Sequence, residues 1–171
     1  MAENLAEKSV PSAVLLNGPS SSGKSSIARA LQKKLGSLGI ASAVVSIDDY
    51  MTVSQNEEIW EDDVFEIMPS LCAGLKETLS QGKFAVIDHV ITSERIYRAL
   101  TDALSGRSLK TVRVSCSLEL LKRREAERKD RFIGSAEASY QYLYPKDGYD
   151  LTIDSGTVSP DEAAERILRV L

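Results

Sequence analysis

The sequence predicts an α/β domain built on a five-stranded parallel sheet with helices on both faces. Three observations carry that expectation: short β-branched runs alternate with segments of helical period, the runs are apolar throughout, and a glycine-rich turn joins the first run to the first helix. Strands covered on both faces read as continuous apolar stretches, and parallel neighbours need helical crossovers. The expected strands are Ala13–Asn17, Ala41–Ile47, Phe84–Asp88, Thr111–Cys116 and Leu151–Asp154, each closed by polar or turn residues. The expected helices are Lys24–Leu38, Asp62–Gln81, Ser93–Ser105, Leu118 to about Ala138 with a break, and Pro160–Leu171. The last has a clean start, with Ser159 as cap, Pro160 at the first position, and Asp161 and Glu162 at the positive end of the helix dipole. Residues 139–149 read as a loop. No linker or repeat divides the chain, so residues 1–171 are expected to form a single domain.

Composition narrows the function classes. Acids outnumber bases 25 to 21, for a net charge of -4, which does not suit a protein that grips a nucleic-acid duplex. Two cysteines, Cys72 and Cys116, fall in a helix and a strand, so neither a disulfide framework nor a thiolate metal site is expected, and a reducing cytoplasm fits. The first eight residues are charged and lack an apolar run, and no later stretch approaches the about 20 apolar residues of a membrane span. The expectation is a cytoplasmic protein without a membrane partner; its oligomeric state is left open.

The most informative segment is Gly18-Pro19-Ser20-Ser21-Ser22-Gly23-Lys24-Ser25, a complete G-x-x-x-x-G-K-[ST] match between an apolar strand and a helical pattern. Glycines at both ends let the backbone curl around a phosphate chain and present amide N–H groups at a helix N-terminus. Gly18 to Ser26 are therefore the expected nucleotide cradle, with Lys24 reaching the β- and γ-phosphates of ATP. The Ser25 hydroxyl is a hard oxygen suited to Mg²⁺. The motif itself does not separate a kinase from a hydrolase or a nucleotide-dependent switch.

In open α/β sheets ligands gather at the carboxyl ends of the strands. The second expected strand ends Ile47-Asp48-Asp49, which makes Asp48 a candidate to take the proton of an attacking hydroxyl. The third ends Ile87-Asp88-His89, an apolar run closed by an acid, which makes Asp88 a candidate to hold Mg²⁺ with Ser25. The alternatives are caps for Asp48 and Asp49, and a pairing of Asp88 with Lys24 or a hydroxyl. His89 is the chain's only histidine and is expected to be a hydrogen-bonded strand-end residue near an acceptor pocket.

Residues 122–131 read Lys-Arg-Arg-Glu-Ala-Glu-Arg-Lys-Asp-Arg. The spacing of Arg124, Arg128 and Arg131 places all three on one face of a helix, where they would clamp a triphosphate as part of a lid over about 122–148. The alternative is a solvated helix with Glu125, Glu127 and Asp130 as ion-pair partners.

Taken together, these residues resemble the chloramphenicol phosphotransferase-like P-loop kinases. The resemblance runs through Leu16-Asn17-Gly18, Ile47-Asp48, Ile87-Asp88, Arg124-Glu125 to Arg128, Asp130-Arg131, Gly134, and Tyr149-Asp150 to Asp154. It implies Asp48 as catalytic base, and the P-loop with Arg124, Arg128 and Arg131 as the ATP site. It also implies transfer to a hydroxyl of a small molecule; a nucleoside, nucleotide or sugar-nucleotide acceptor is the alternative. After Gly134 the family pattern carries a glutamine and then a histidine, where this chain has Ser139 and Tyr144, so the resemblance informs the reaction and not the acceptor. The stretch 51–64, with Glu57, Glu58, Glu61, Asp62, Asp63 and Trp60, is the expected acceptor side, although a helix start at Asp62 and core packing of Trp60 explain it equally.

Overall fold

The computed structural model describes residues 12–171. The strands are β1 (Ala13–Asn17), β2 (Ser42–Ser46), β3 (Phe84–His89), β4 (Leu109–Ser115) and β5 (Leu151–Asp154). The helices are α1 (Lys24–Ser37), α2 (Glu61–Ser80), α3 (Glu94–Ala103), α4 (Leu118–Glu127), α5 (Ser135–Tyr142) and α6 (Pro160–Leu168), with a 3₁₀ turn at Ile47–Asp49. The sheet is parallel, in the order β2-β3-β1-β4-β5.

Side-chain alternation splits the core into two layers. Ala13, Leu15, Val45, Ala85 and Ile87 face Val64, Met68, Leu71 and Leu75 of α2 and Ile96 and Leu100 of α3. Val14, Leu16, Val86, Val112, Val114 and Ile153 face Ile27, Leu31 and Leu35 of α1 and Ala163, Ala164 and Ile167 of α6. The α1 and α2 residues recur at steps of three and four, which is why these segments are helices with one buried face. Each fully buried Leu or Ile contributes about 1.5–3 kcal/mol of transfer free energy, so the sheet's two apolar faces dominate its stability. α6 begins as its caps dictate: the Ser159 hydroxyl accepts from the Glu162 amide at 3.2 Å, and the Glu162 carboxylate accepts from the Ser159 amide at 2.9 Å.

The same alternation sorts the end of β3. Asp88 pairs in register with Leu16 and Ser46 and so turns toward α1, whereas His89 turns toward α2. His89 is wholly buried, with Nε2 3.4 Å from the Met68 sulfur and no hydrogen-bond partner at Nδ1 among the described residues.

The region after β4 departs from expectation in a way that matters. The break expected within Leu118–Ala138 falls after Glu127, where α4 stops and Arg128 takes an extended conformation (φ -84°, ψ 140°). Gly134 then restarts the chain at φ +106°, a left-handed value that favours glycine, and α5 runs to Tyr142. Residues 139–142, predicted as loop, are therefore helical, and their polar, tyrosine-rich composition masked a short amphipathic turn. Both cysteines are free thiols. No helix among the described residues is long and apolar enough to cross a membrane.

Burial drives the His89 imidazole down to about pKa 4 from 6.5, opposed by the nearby Val90 backbone. Between those values the unfolded chain binds the proton and the folded chain does not, so stability is complete above about pH 6.5 and falls as pH drops toward 4. The loss attributable to this one group is about 3 kcal/mol by pH 4. Urea melts from pH 7 to 4 are expected to show a shallower decline for His89→Gln than for the wild type; parallel declines contradict the assignment.

Candidate functional site

The P-loop closes over the carboxyl end of β1, at the middle of the sheet. A Cβ added to Gly18 would stand 2.0 Å from the Val114 carbonyl oxygen, so the loop leaves β1 in contact with the β4 backbone and only glycine fits there. Ser21 and Gly23 adopt positive φ (67° and 92°), which curls the backbone so that α1 begins at Lys24. Lys24, 6% exposed, donates to the Pro19 carbonyl at 2.8 Å and to the Ser22 hydroxyl at 3.3 Å. Its neighbours Ser25 and Ser26 lie on the exposed side of the same turn. Desolvation lowers the Lys24 ammonium to about pKa 8, opposed by the charges of Asp88 and Asp48.

The Asp88 carboxylate is 4% exposed and accepts hydrogen bonds from the Ser25 hydroxyl at 2.7 Å and the Ser46 hydroxyl at 3.4 Å. The alternative of a hydroxyl partner for Asp88 is thus realised in this form of the protein, and it brings two hard oxygens together next to the cradle. Among the described residues no group of three His, Cys, Asp or Glu side chains converges, so a cation here would complete its sphere with phosphate oxygens and water. That donor set fits Mg²⁺, which is held by few protein ligands alongside substrate phosphates.

Asp48 lies in the 3₁₀ turn after β2, and its Oδ2 pairs with Arg131 Nη2 at 2.5 Å. The three arginines do not share one helical face, which corrects the spacing argument: α4 has ended before Arg128. Arg124 donates to the Ser155 carbonyl at 2.9 Å and hydroxyl at 3.1 Å and touches the Ser22 carbonyl at 3.4 Å. Arg128 pairs with Asp130 at 3.0 Å. Glu125, considered as an ion-pair partner, is instead buried and bonds to backbone amides.

Two cavities meet at this cradle. The larger, about 760 Å³, is walled by Ser20, Ser21, Gly23 to Ser26, Asp48, Asp88, Arg128 and Arg131, by Met51, Val53, Ser54 and Glu57 to Glu61, and by Ser135, Ala138, Ser139 and Tyr142. The smaller, about 400 Å³, lies between Ser21, Gly23 and Ser26, Arg124 and Arg128, and the turn Ser155–Pro160. The cradle residues Gly18, Pro19 and Ser22 stand just behind these walls, held by Val114, Lys24 and Arg124. In the stretch 51–64, Glu61 and Asp62 are engaged by Arg95, and Asp63 accepts from the Trp60 amide at 2.7 Å to cap α2. Glu57 and Glu58 stay on the cavity wall, and Trp60, 63% exposed, lines the cavity and does not pack in the core.

Sequence reasoning missed Ser46, Ser139, Ser155 and the α5 face. Ser155 follows β5 and was accessible to the strand-end rule that selected Asp48 and Asp88. Ser139, which accepts from the Ser20 amide at 2.9 Å, carried no local signal.

A P-loop with a Ser-Asp pair and arginines around two adjoining cavities defines the class of P-loop kinases. The chloramphenicol phosphotransferase-like family model matches residues 12–171, and the chain belongs to that family. No curated protein matches it in sequence. Among solved structures it is similar to the APS kinase of Mycobacterium tuberculosis, at 20% identity over 92% of this chain and 95% of that one, TM-score 0.73. It is also similar to a gluconokinase of Sinorhizobium meliloti (18% identity, 94% and 91% covered, TM-score 0.69). The tunicamycin resistance protein of Deinococcus radiodurans is a third such structure (18% identity, 92% and 93% covered, TM-score 0.65). These likenesses show the fold.

Nucleotide binding at this cradle is expected to take up a proton under alkaline conditions. Phosphates beside Lys24 favour its charged form and raise its pKa from about 8, so above pH 8 the free protein must gain the proton that the complex holds. Affinity for ATP should therefore weaken as pH rises through about 8 to 9, by up to about tenfold per pH unit. Calorimetry at pH 8.5 in buffers of different ionisation enthalpy measures the uptake; a value of zero contradicts it.

Proposed function

We propose that this protein transfers the γ-phosphoryl group of ATP, bound with Mg²⁺, to a hydroxyl group of a small cytoplasmic molecule. One observation carries the reading: Asp48, the P-loop and the Ser25–Asp88 pair open onto the same cavity, which also has a partly apolar extension past Met51, Val53 and Trp60. A phosphate chain fills only the cradle end, and the remainder is sized for an acceptor.

In the proposed reaction the acceptor hydroxyl oxygen forms a bond to the γ-phosphorus as the bond from phosphorus to the β–γ bridging oxygen breaks, and ADP departs. The hydroxyl proton passes to the Asp48 carboxylate. Arg131, 13% exposed, holds one oxygen of that carboxylate in an ion pair and so fixes its place on the cavity wall. Lys24 and Arg128 neutralise charge on the transferring group, and Arg124 with Ser155 borders the smaller cavity, which suits the nucleoside end of ATP. Mg²⁺ between Ser25 and Asp88 would supply further neutralisation of the phosphates. Residues 122–148 act as the lid in this reading, and the whole chain works as a single domain.

Asp48→Asn is expected to reduce transfer by about 10²-fold or more while ATP affinity stays within about threefold of wild type. The measurement pairs calorimetry with mass-spectrometric screening of pooled metabolites and antibiotics for the gain of one phosphoryl group. Steady phosphate release with no phosphorylated acceptor supports a hydrolase or switch instead. Loss of ATP binding in the Asp48 variant, with unchanged transfer per bound nucleotide, removes the residue from the base role.

A further inference from the structure

Glu125 is 2% exposed, the most buried charged side chain among the described residues, and the reaction outlined above does not use it. It sits in α4 between Arg124 and Arg128, yet no cation lies within ion-pair distance among the described residues. Its two oxygens take different amides: Oε2 accepts from Gly134 at 3.0 Å and Oε1 from Ala136 at 2.7 Å. These are N–H groups at the start of α5 that no intrahelical carbonyl can satisfy. The positive end of the α5 dipole faces the carboxylate and compensates its burial.

A carboxylate is the side chain this geometry requires. Two amide donors converge on two separate acceptor oxygens, whereas glutamine offers one carbonyl and turns its own NH₂ toward the second donor. Gly134 supports the arrangement, since its φ of +106° sets the orientation of the first amide.

What Glu125 holds explains why the arrangement matters. Ser135, Ala138, Ser139 and Tyr142 fall at i, i+3, i+4 and i+7 of α5, and all four line the larger cavity. Ser139 accepts from the Ser20 amide of the P-loop and donates to the Ser135 carbonyl at 2.6 Å. At the other end of the link, α4 carries Arg124 against Ser22 and Ser155. Glu125 therefore pins the acceptor-side wall to the helix that borders the nucleotide side.

Resting on the transferase reading, we propose that Glu125 is a positioning residue. It fixes α5, whose Ser139 abuts the P-loop edge at Ser20, so that the acceptor wall stands in register with the phosphate cradle. Losing it leaves the nucleotide site intact and misplaces the acceptor, and a displacement of about 1 Å in a reacting pair costs on the order of 10²-fold in rate.

The test compares wild type, Glu125→Gln and Glu125→Asp, using ATP with Mg²⁺ and the pooled hydroxyl compounds of the screen. Calorimetric ATP affinity, the rate of phosphorylated-product formation at saturating ATP, and hydrogen exchange of amides 135–142 are measured together. Glu125→Gln is expected to bind ATP within about threefold of wild type, to form phosphorylated product about 10²-fold more slowly at saturating ATP, and to exchange faster in α5 with the β1–β4 core unchanged. Glu125→Asp, which still reaches one amide, should fall between, and it carries the test if the glutamine variant does not fold. An unaltered rate of product formation overturns the proposal, as does unaltered α5 exchange. A fall in transfer matched by an equal fall in ATP affinity overturns it too, by placing Glu125 in the nucleotide site. A wild type that binds ATP but releases only inorganic phosphate overturns the transferase reading itself, and the proposal goes with it.

Discussion

Lys24 stands at the first turn of α1 with 6% of its surface exposed, a carbonyl and a hydroxyl as its hydrogen-bond partners, and two carboxylates close by that do not touch it. An ammonium in that position has given up most of its hydration, and burial lowers its pKa to about 8. The surrounding loop adds to the same local surplus of positive potential. Ser21 and Gly23 are bent to positive φ, which points successive backbone N–H groups inward at a helix N-terminus. Charge and backbone thus ask for the same thing, a multiply charged anion, and the site's chemistry follows from what can be arranged around one.

The sheet does the arranging. β1 is the central strand, flanked by β3 and β4, so the loop that leaves it emerges where the chain order reverses and a crevice opens. Asp88 reaches that crevice because the period-2 alternation of β3 turns it toward α1, in register with Ser46 on one side and Leu16 on the other. A shift of one residue in β3 would exchange Asp88 for His89, placing the neutral imidazole beside Ser25 and the carboxylate against Met68 in the apolar layer. Register, set by the apolar residues of β3, therefore decides which side chain the phosphates meet.

What was legible in the sequence was what is local. The G-x-x-x-x-G-K-S loop, the five apolar strands and the Ser159 cap depend on neighbours within a few residues, and the structure has them where they were expected. Strand ends moved by a residue or two, as with β2, which gives way to a 3₁₀ turn at Ile47. The arginine run misled because i, i+4, i+7 spacing means one face only while a helix continues, and α4 does not continue past Glu127. Glu125 misled for the opposite reason: charge density suggested solvated ion pairs, which Asp130 does form with Arg128, while Glu125 is withdrawn into a contact eleven residues away in the chain. Trp60 and the α5 face belong to the same category, since nothing within the segment 51–64 or 135–142 reveals which cavity its side chains line.

The interruption after Glu127 has a geometric reason. Arg124 bonds to Ser155, just beyond β5 at one edge of the sheet, and Arg131 bonds to Asp48, just beyond β2 at the other edge. Four inter-strand spacings separate those edges, on the order of 19 Å. Seven residues of continuous helix advance only about 10 Å, and both guanidinium groups would then leave the same face in nearly the same direction. Extended chain covers about 3.3 Å per residue, so the change of Arg128 from helix to extended backbone, with bends at 129–131, lengthens the reach and frees Arg131 to turn independently. The segment can then cross the mouth of the crevice from one edge strand to the other. Once it is broken in this way, α5 is no longer held by a shared helix, and the buried Glu125 carboxylate joins the two halves again through the first amides of α5, beside the Leu121–Ala136 packing and the Lys122–Glu137 pair.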